Sequence, residues 1–239
     1  MQTSDFDYHL PQSFIAQKPC RPRDHARLMV LPSARLQLTG LQLVRSQPLH
    51  CRFDDLPDLL QKGDVLVFNN SKVIKARLVG KKDTGGKMEI FLLRRVAGLR
   101  WEVLVGGKGA RPGKRITFGR AFFCTLESHE ENRWIAEFNL QGKSFRDALT
   151  TYGHVPLPPY IKNSSPFSDY QTVYAAKEGS VAAPTAGLHF TPRLLRSLKQ
   201  RGIGSEYVTL HVGLGTFQSV KTDRVEDHIM HAEFAEISA

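Results

Sequence analysis

The chain has 239 residues, and 33 Lys and Arg stand against 23 Asp and Glu for a formal charge of +10. That length buries a sizeable core in one large domain or two small ones, and no apolar run is long enough for a helical membrane span. The three cysteines, Cys20, Cys51 and Cys124, are odd in number and far apart, which excludes a disulfide framework, a zinc ribbon and a CxxxCxxC iron–sulfur site. The start, MQTSDFDYHLPQSF, has neither the basic region nor the apolar stretch of a secretory signal, so a cytoplasmic protein is expected. The positive surplus has two readings: a polyanionic partner, nucleic acid first, or a merely soluble basic protein. The crowding of Lys and Arg between Arg77 and Arg115 fits a surface that follows a phosphate backbone.

To about Lys62 the chain mixes short apolar runs with proline. It closes on FDDLPDLLQKGD, where Leu56, Leu59 and Leu60 take helical spacing and Gly63 supplies a stop. From about Asp64 to Leu149 the residues read as strands. VLVFNN, ARLVGKK, KMEIFLLR, WEVLV, KRITF and RWIAEF are short and rich in β-branched and aromatic residues, with Gly and Asp between them. Trp101, Val103 and Val105 alternate, as do Trp134, Ala136 and Phe138, and six or so such strands predict a small barrel. Within this zone Asn69, Asn70, Ser71 and Lys72 follow an apolar strand, where they either hold a polar ligand or cap a turn. Lys87, Lys108 and Arg111 stand beside glycines, as phosphate contacts or as guards of a solvated strand edge.

From near Thr150 the character changes. YGHVPLPPYI is extended and proline-rich, and Ser168 with Gln171 makes a capping-box pattern that predicts a helix carrying Tyr170, Val173 and Tyr174. GSVAAPTAGLHF, residues 179–190, is built of small residues around one base, His189. It is too weak for a core and too apolar for an ordinary surface loop. Two readings stand: a tight connection with a hydrogen-bonded histidine, or a ligand wall whose small residues allow close approach and whose amides bind an anion. In TPRLLRSLKQRG, Thr191 caps, Pro192 takes the first helical position, Leu194, Leu195 and Leu198 share a face, and Gly202 ends the helix. EYVTLHVG follows as a strand, with Val208, Leu210 and Val212 on one face and Tyr207, Thr209 and His211 on the other. The zone reads strand–turn–helix–strand, an α/β signature. TLHVGLGTF repeats the pattern of a histidine before a glycine turn, and loops at neighbouring strand ends converge, so His189 and His211 are expected together. DHIMHAE offers His228, His231 and Glu233 as metal ligands, as acid/base groups, or as a polar helix face or loop.

FDYHLPQSFIAQKPCRPRDHARL, GDVLVFNNSKVIKARL, TGGKMEIFLLRR, YGHVPLPPYI, YQTVYAAKEGSVAAPTAGLHFT, VTLHVGLGTFQSV and DHIMHAEFAEIS occur in that order along nearly the whole chain. The set resembles the S-adenosylmethionine:tRNA ribosyltransferase-isomerase family of queuosine biosynthesis. The resemblance implies an α/β (α+β mixed) catalytic domain made of residues 1–62 and 152–239, interrupted by a small antiparallel β-barrel at residues 63–151. It implies transfer of the ribosyl moiety of S-adenosylmethionine, a co-substrate, onto 7-aminomethyl-7-deazaguanine at the tRNA wobble position. Epoxyqueuosine forms, adenine and methionine leave, and no metal takes part. That chemistry is proton transfer near neutral pH. His189 and His211 are its first acid/base candidates, followed by His228, His231 and Glu233. Thr185, Ala186, Gly187, Gly213, Gly215 and Thr216 are expected to hold the co-substrate. Asn70, Lys72, Arg77, Lys87, Lys108 and Arg111 are expected to meet the anticodon region of tRNA. Ser71 stands where the family has Thr, and Lys75 and Ser219 where it has Pro. The chain stops at AEISA, where the family continues with motifs of the type GTTSVR and NFHLP. The expectations attached to that end are a fragment, a truncated product or a catalytically impaired tRNA-binding paralogue, with homo-oligomerisation covering apolar surface.

Overall fold

The computed structural model describes residues 1–31, 47–130, 133–158, 160–161, 166–217 and 219–237. Pro159 of the proline-rich stretch and the last two residues lie outside that set. Short 3-10 turns open the chain and lead to an antiparallel pair, β1 (Arg27–Val30) and β2 (Leu49–Arg52). Helix α1 (Leu56–Leu59) is a single turn with proline at its start. The chain then reverses at Gly63, whose φ of +98° suits glycine alone. β3 (Val65–Asn69) and β4 (Ser71–Val73) follow. Six antiparallel strands come next: β5 (Arg77–Lys82), β6 (Lys87–Ala97), β7 (Arg100–Gly106), β8 (Arg115–Gly119), β9 (Phe122–Glu130) and β10 (Arg133–Phe138). They pair in the order 5-6-7-10-9-8, and β8 returns to β5, closing a barrel. Helix α2 (Gly142–Tyr152) packs on it, and β11 (Gly153–His154) pairs with β5. The chain therefore leaves the barrel beside the strand by which it came in. β12 (Lys177–Ser180), α3 (Pro192–Gln200), β13 (Gly204–His211) and β14 (Phe234–Glu236) complete the fold.

Alternation builds the barrel. Met88, Ile90 and Leu92 from β6, Ile116 from β8, Phe122, Cys124 and Leu126 from β9, and Trp134, Ala136 and Phe138 from β10 all point into one core. Each large side chain among them contributes roughly 1.5–3 kcal/mol by leaving water. Closure leaves the strands no free edge along most of their length. Two elements of this unit were not expected from sequence. One is β9, where FFCTLESHE buries every second residue from Phe122 to Leu126. The other is α2, whose Phe145, Ala148 and Leu149 enter the barrel core at helical spacing. Phe145 stacks on Trp101 with ring centroids 5.2 Å apart.

VLVFNN does not join the barrel. It is β3, and it runs parallel to β13, with Val65 opposite Gly204 and Asn69 opposite Val208. β14 pairs antiparallel with β13 from His211 to Thr209, and β4 runs parallel to β12. Helix α3 covers this sheet: Leu194 and Leu198 pack with Phe68, Phe190 and Ile203. Its ends follow the sequence. The Thr191 hydroxyl accepts from the Leu194 amide at 3.1 Å, Pro192 opens the helix, and Gly202 leaves it at φ +77°.

The helix expected from Ser168 and Gln171 is absent. A 3-10 turn, Phe167–Tyr170, stands there. The Gln171 amide is not a cap, because it serves as a strand partner: its Oε1 accepts from the Val73 amide at 3.1 Å and its Nε2 donates to the Val73 carbonyl at 2.8 Å. The small-residue stretch 179–190 also departs from expectation, since part of it is core. Val181 joins the barrel core, and Ala183 packs with Val73 and Tyr170. Its small side chains let it run between the two units.

Candidate active site

A cleft of about 740 Å³ opens between the barrel and the α/β unit. Its α/β wall gathers residues from three distant segments: Gly179 from β12, His211 and Gly213 from the end of β13, and His231 and Glu233 from the approach to β14. Pairing of β14 with β13 is what folds the DHIMHAE segment back onto TLHVGLGTF. The His211 ring lies between two surfaces. On one side is the Phe234 ring, 6.3 Å away and nearly parallel at 13°. On the other is Gly179, at φ +140°, where a Cβ would sit 2.9 Å from the imidazole. His211 Nδ1 is buried and has no hydrogen-bond partner among the described residues.

His231 and Glu233 form a pair. The His231 Nε2 lies 3.2 Å from Glu233 Oε1, and that same oxygen accepts from the Gly213 amide at 2.8 Å. The carboxylate is thereby fixed by backbone and holds the imidazole with Nε2 as donor, which leaves Nδ1 as the acceptor. The ring rests on Gly215, where a Cβ would lie 2.3 Å from His231 Cγ. So Gly215 is small to admit its own histidine. Gly187 is small for a similar reason: a Cβ there would meet the Tyr174 hydroxyl at 2.1 Å.

His189 stands elsewhere. With Thr185 and Leu188 it lines a second cavity of about 310 Å³, bordered by Arg23, Cys20, Tyr160 and Asp169. The 3-10 turn Thr185–His189 leads straight into Thr191 and α3, so the helix cap fixes its far end. The His189 ring meets Phe53 at 5.1 Å. Burial, and then the charge of Arg23, hold its pKa below the usual imidazole value. The structure thus does not bring His189 and His211 into one cavity. The stretch 179–190 borders both, touching the larger at Gly179 and the smaller at Thr185–His189, with buried residues 180–183 between. Ala186 and Thr216 are exposed, and neither they nor His228 border either cavity.

Sequence reasoning missed two residues beside His189. Arg23 donates to the carbonyls of Gln171, at 2.6 Å, and Ser168, tying the amino-terminal segment to the 3-10 turn at Phe167–Tyr170. Asp24 is fully buried, and its Oδ2 accepts from Thr191 Oγ1 at 2.5 Å and Arg193 Nη2 at 3.0 Å. Burial alone would raise the Asp24 pKa, but the hydrogen bonds from Thr191 and Arg193 outweigh it and hold the carboxylate ionised. The string RPRDH carried a hint, a charged pair next to prolines in a segment otherwise poor in structure.

The expected RNA contacts divide. Asn70 Oδ1 accepts from the Thr209 hydroxyl at 2.7 Å, Lys72 pairs with Glu178 at 3.2 Å, and Arg77 grips Glu89 with two nitrogens, which raises its pKa. Lys87, Lys108 and Arg111 are exposed, and their side chains have no hydrogen bond or ion pair among the described residues. Four arginines line the barrel wall of the larger cleft: Arg94 and Arg95 from the basic crowding at 77–115, and Arg133 and Arg146, which lie outside it. Among the described residues no group of three His, Cys, Asp or Glu side chains is placed to hold a metal ion, and no helix is long and apolar enough to cross a membrane.

Residues 3–239 match the family described as queuosine biosynthesis protein. The S-adenosylmethionine:tRNA ribosyltransferase-isomerase of Sulfurihydrogenibium sp. is 44% identical over 239 residues, covering 98% of this chain and 68% of its own length. The enzyme of that name from Acetivibrio thermocellus is 47% identical over 242 residues, covering 99% of this chain and 68% of its own. A crystal structure of S-adenosylmethionine tRNA ribosyltransferase from Thermotoga maritima is 29% identical and covers 87% of this chain and 59% of its own, with a TM-score of 0.35.

Proposed function

This chain belongs to the queuosine biosynthesis protein family, and we propose that it is an S-adenosylmethionine:tRNA ribosyltransferase-isomerase acting on a 7-aminomethyl-7-deazaguanine base of tRNA. The observation that carries the reading is the larger cleft, where His211, the His231–Glu233 pair and the Gly213–Gly215 turn meet from separate segments. The residues present suit the co-substrate. The cleft volume lies within the roughly 300–1,000 Å³ of small-molecule sites. A sulfonium cation finds an aromatic face at Phe234 and, beside it, the Glu233 carboxylate. His211 Nδ1 is a buried ring nitrogen with no partner among the described residues, where buried polar atoms are ordinarily paired.

The reaction needs a base at the ribose C5′ next to the sulfonium, an acid for the departing adenine, and a neutral attacking amine. Three groups suit those proton transfers. His211 lines the cleft and keeps one ring nitrogen without a partner among the described residues. His231 is oriented by Glu233. His189, at the separate second cavity, has its pKa lowered by burial and then by Arg23, which favours its neutral form. Gly213 and Gly215 border the cleft beside His211 and His231 and are assigned to holding the co-substrate, while Thr185, at the second cavity beside His189, and Ala186, Gly187 and Thr216, which border neither cavity, are assigned there only through their turns. His228 lies in the DHIMHAE fold-back without bordering either cavity and takes a supporting place.

The test is release of adenine when the protein is incubated with S-adenosylmethionine and precursor tRNA. His211→Ala and His189→Ala each abolish release while thermal melting stays at the wild-type value. Salt-sensitive tRNA binding without any release from the wild-type chain overturns the assignment in favour of a binding protein. Wild-type turnover in either variant removes that histidine from the mechanism.

A further inference from the structure

We propose that tRNA is held through its phosphates by the barrel wall of the larger cleft, at Arg94, Arg95, Arg133 and Arg146, and not by the lysine-rich end of the barrel. This rests on the reading of the chain as a tRNA-modifying enzyme.

Charge on that wall is shared unequally. Glu102 is buried, and its one carboxylate serves two guanidinium groups, Arg94 and, at 2.7 Å, Arg133. Glu178 likewise serves two cations, Lys72 at 3.2 Å and Arg146 at 3.9 Å. Arg95 gives Nε and Nη2 to the Gly98 carbonyl, at 2.9 and 2.7 Å, and so spends donors without losing charge. Across the cleft, Glu233 gives its Oε1 to the Gly213 amide and His231. Glu102 on the barrel and Glu178 on β12 opposite each orient two cations and neutralise one. A positive surplus remains, pre-oriented and facing the cleft.

The guanidinium groups are available. The side chains of Arg94, Arg133 and Arg146 are 68%, 63% and 57% exposed, and each guanidinium has five N–H donors, of which the contacts above use few. Planar forks of this kind bind phosphate oxygens in pairs. An anchored backbone lies opposite His211, Phe234 and the His231–Glu233 pair, so a base projecting from it crosses directly to the acid/base groups.

The other basic cluster lacks that relation. Lys87 stands at the start of β6, and Lys82 donates to the Lys108 carbonyl at 2.8 Å, which puts Lys108 at the same end. Seven residues of extended strand separate Lys87 from Arg94, roughly 23 Å at about 3.3 Å per residue. That exceeds the Debye length of about 8 Å at physiological salt, so the two clusters attract an anion independently.

Binding of precursor tRNA to the full chain, followed by fluorescence anisotropy at several salt concentrations, separates them. The lead variant is Arg95→Gln with Arg146→Gln, which leaves the buried Glu102 paired. A second, Arg94→Gln with Arg133→Gln, is read only if it melts as a folded protein. The comparison is Lys87→Gln with Lys108→Gln. The expected result is at least tenfold weaker binding for the lead variant, with a log–log salt slope shallower by about 2, one for each phosphate that is no longer neutralised. The lysine variant binds within twofold of wild type. Unchanged binding by the lead variant, or a larger drop in affinity for the lysine variant, overturns the proposal. If the wild-type chain releases adenine while the lead variant binds tRNA normally, the inference fails and the function stands. If the wild type neither binds tRNA nor releases adenine, both fail.

Discussion

Gly215→Ala probes the cleft with one methyl group. The added Cβ would lie 2.3 Å from His231 Cγ and 2.6 Å from Cδ2 and Nδ1. Carbon atoms in ordinary contact stand ~3.5–4.0 Å apart, so the ring must retreat by ~1.2 Å or more. The His231–Glu233 contact is already 3.2 Å long and breaks at such a shift. A displacement of about 1 Å at a reacting group costs on the order of 10²-fold in rate, or ~2.7 kcal/mol of barrier. Folding loses little, because His231 is partly exposed and free to swing outward. The assay is adenine release beside thermal melting, repeated with Gly215→Ala placed in a His231→Ala background. The loss should be ~100-fold with an unchanged melting temperature, and it should vanish in the second background, where no ring remains to displace. A wild-type rate for Gly215→Ala, or a further hundredfold loss on top of His231→Ala, refutes the reasoning.

Gly187→Ala should instead lower stability by about 1–3 kcal/mol, since the Tyr174 hydroxyl it meets at 2.1 Å sits on a ring packed against Phe68 and Phe190. A melting temperature equal to wild type contradicts this. Arg23→Gln should move the His189 titration upward from its depressed position, followed by proton NMR of the imidazole; no movement removes Arg23 as a cause. The sign for stability follows. His189 binds its proton less readily folded than unfolded, so its contribution is present above the unfolded value near 6.5 and is lost as pH falls through the lower folded value. His189→Gln should flatten that part of the stability curve. Among the thiols, burial pushes Cys124 up to about 12, so a thiol reagent at pH 8 should label exposed Cys20 first and Cys124 only on unfolding. Early labelling of Cys124 contradicts the closed barrel.

Much of the fold was legible because strict alternation leaves only one reading. Trp101 and Val103, and Trp134, Ala136 and Phe138, turned inward as their spacing demands. The helix from Pro192 to Gln200 was legible from its cap, its proline and its closing glycine. β9 was overlooked although its alternation was present, because Phe123 on the outward side blurs it; that ring lies under the Arg115 guanidinium at 3.5 Å. The false helix at Ser168 shows the limit of a local signal. A glutamine fits a capping box and a strand edge equally well, and only the distant Val73 decides between them. The site shows the same limit. His211, His231 and Glu233 meet because β14 pairs with β13, and no spacing in the chain records that pairing. His189 and His211 share a motif style, yet the buried residues 180–183 hold them to different cavities. Of the cleft arginines, Arg94 and Arg95 stood within the basic crowding at 77–115, but nothing in the chain set them apart from its lysines or joined them to Arg133 and Arg146. Their distinction is the sharing of Glu102 and Glu178, which is a property of positions in space.

The pairing of β11 with β5 bears on the order in which the molecule assembles. Leu78 lies opposite Gly153 and Arg77 opposite His154. Seen from the α/β unit, everything between is a loop of roughly 75 residues with its ends pinned together. As a flexible chain, closing such a loop would cost about 4 kcal/mol by the (3/2)RT ln n rule. Once the barrel has formed from its largely local antiparallel contacts, its ends already touch and that cost is gone. Only then do β3 and β4 come within reach of β13 and β12, their parallel partners more than a hundred residues away. Barrel amides should accordingly gain protection from hydrogen exchange before those of β13 during refolding, and the reverse order would contradict this sequence of events. The sheet of β3, β13 and β14 is thus the last part of the chain to close, and a lesion deep in the barrel core delays it without touching a single residue of the cleft's histidine wall.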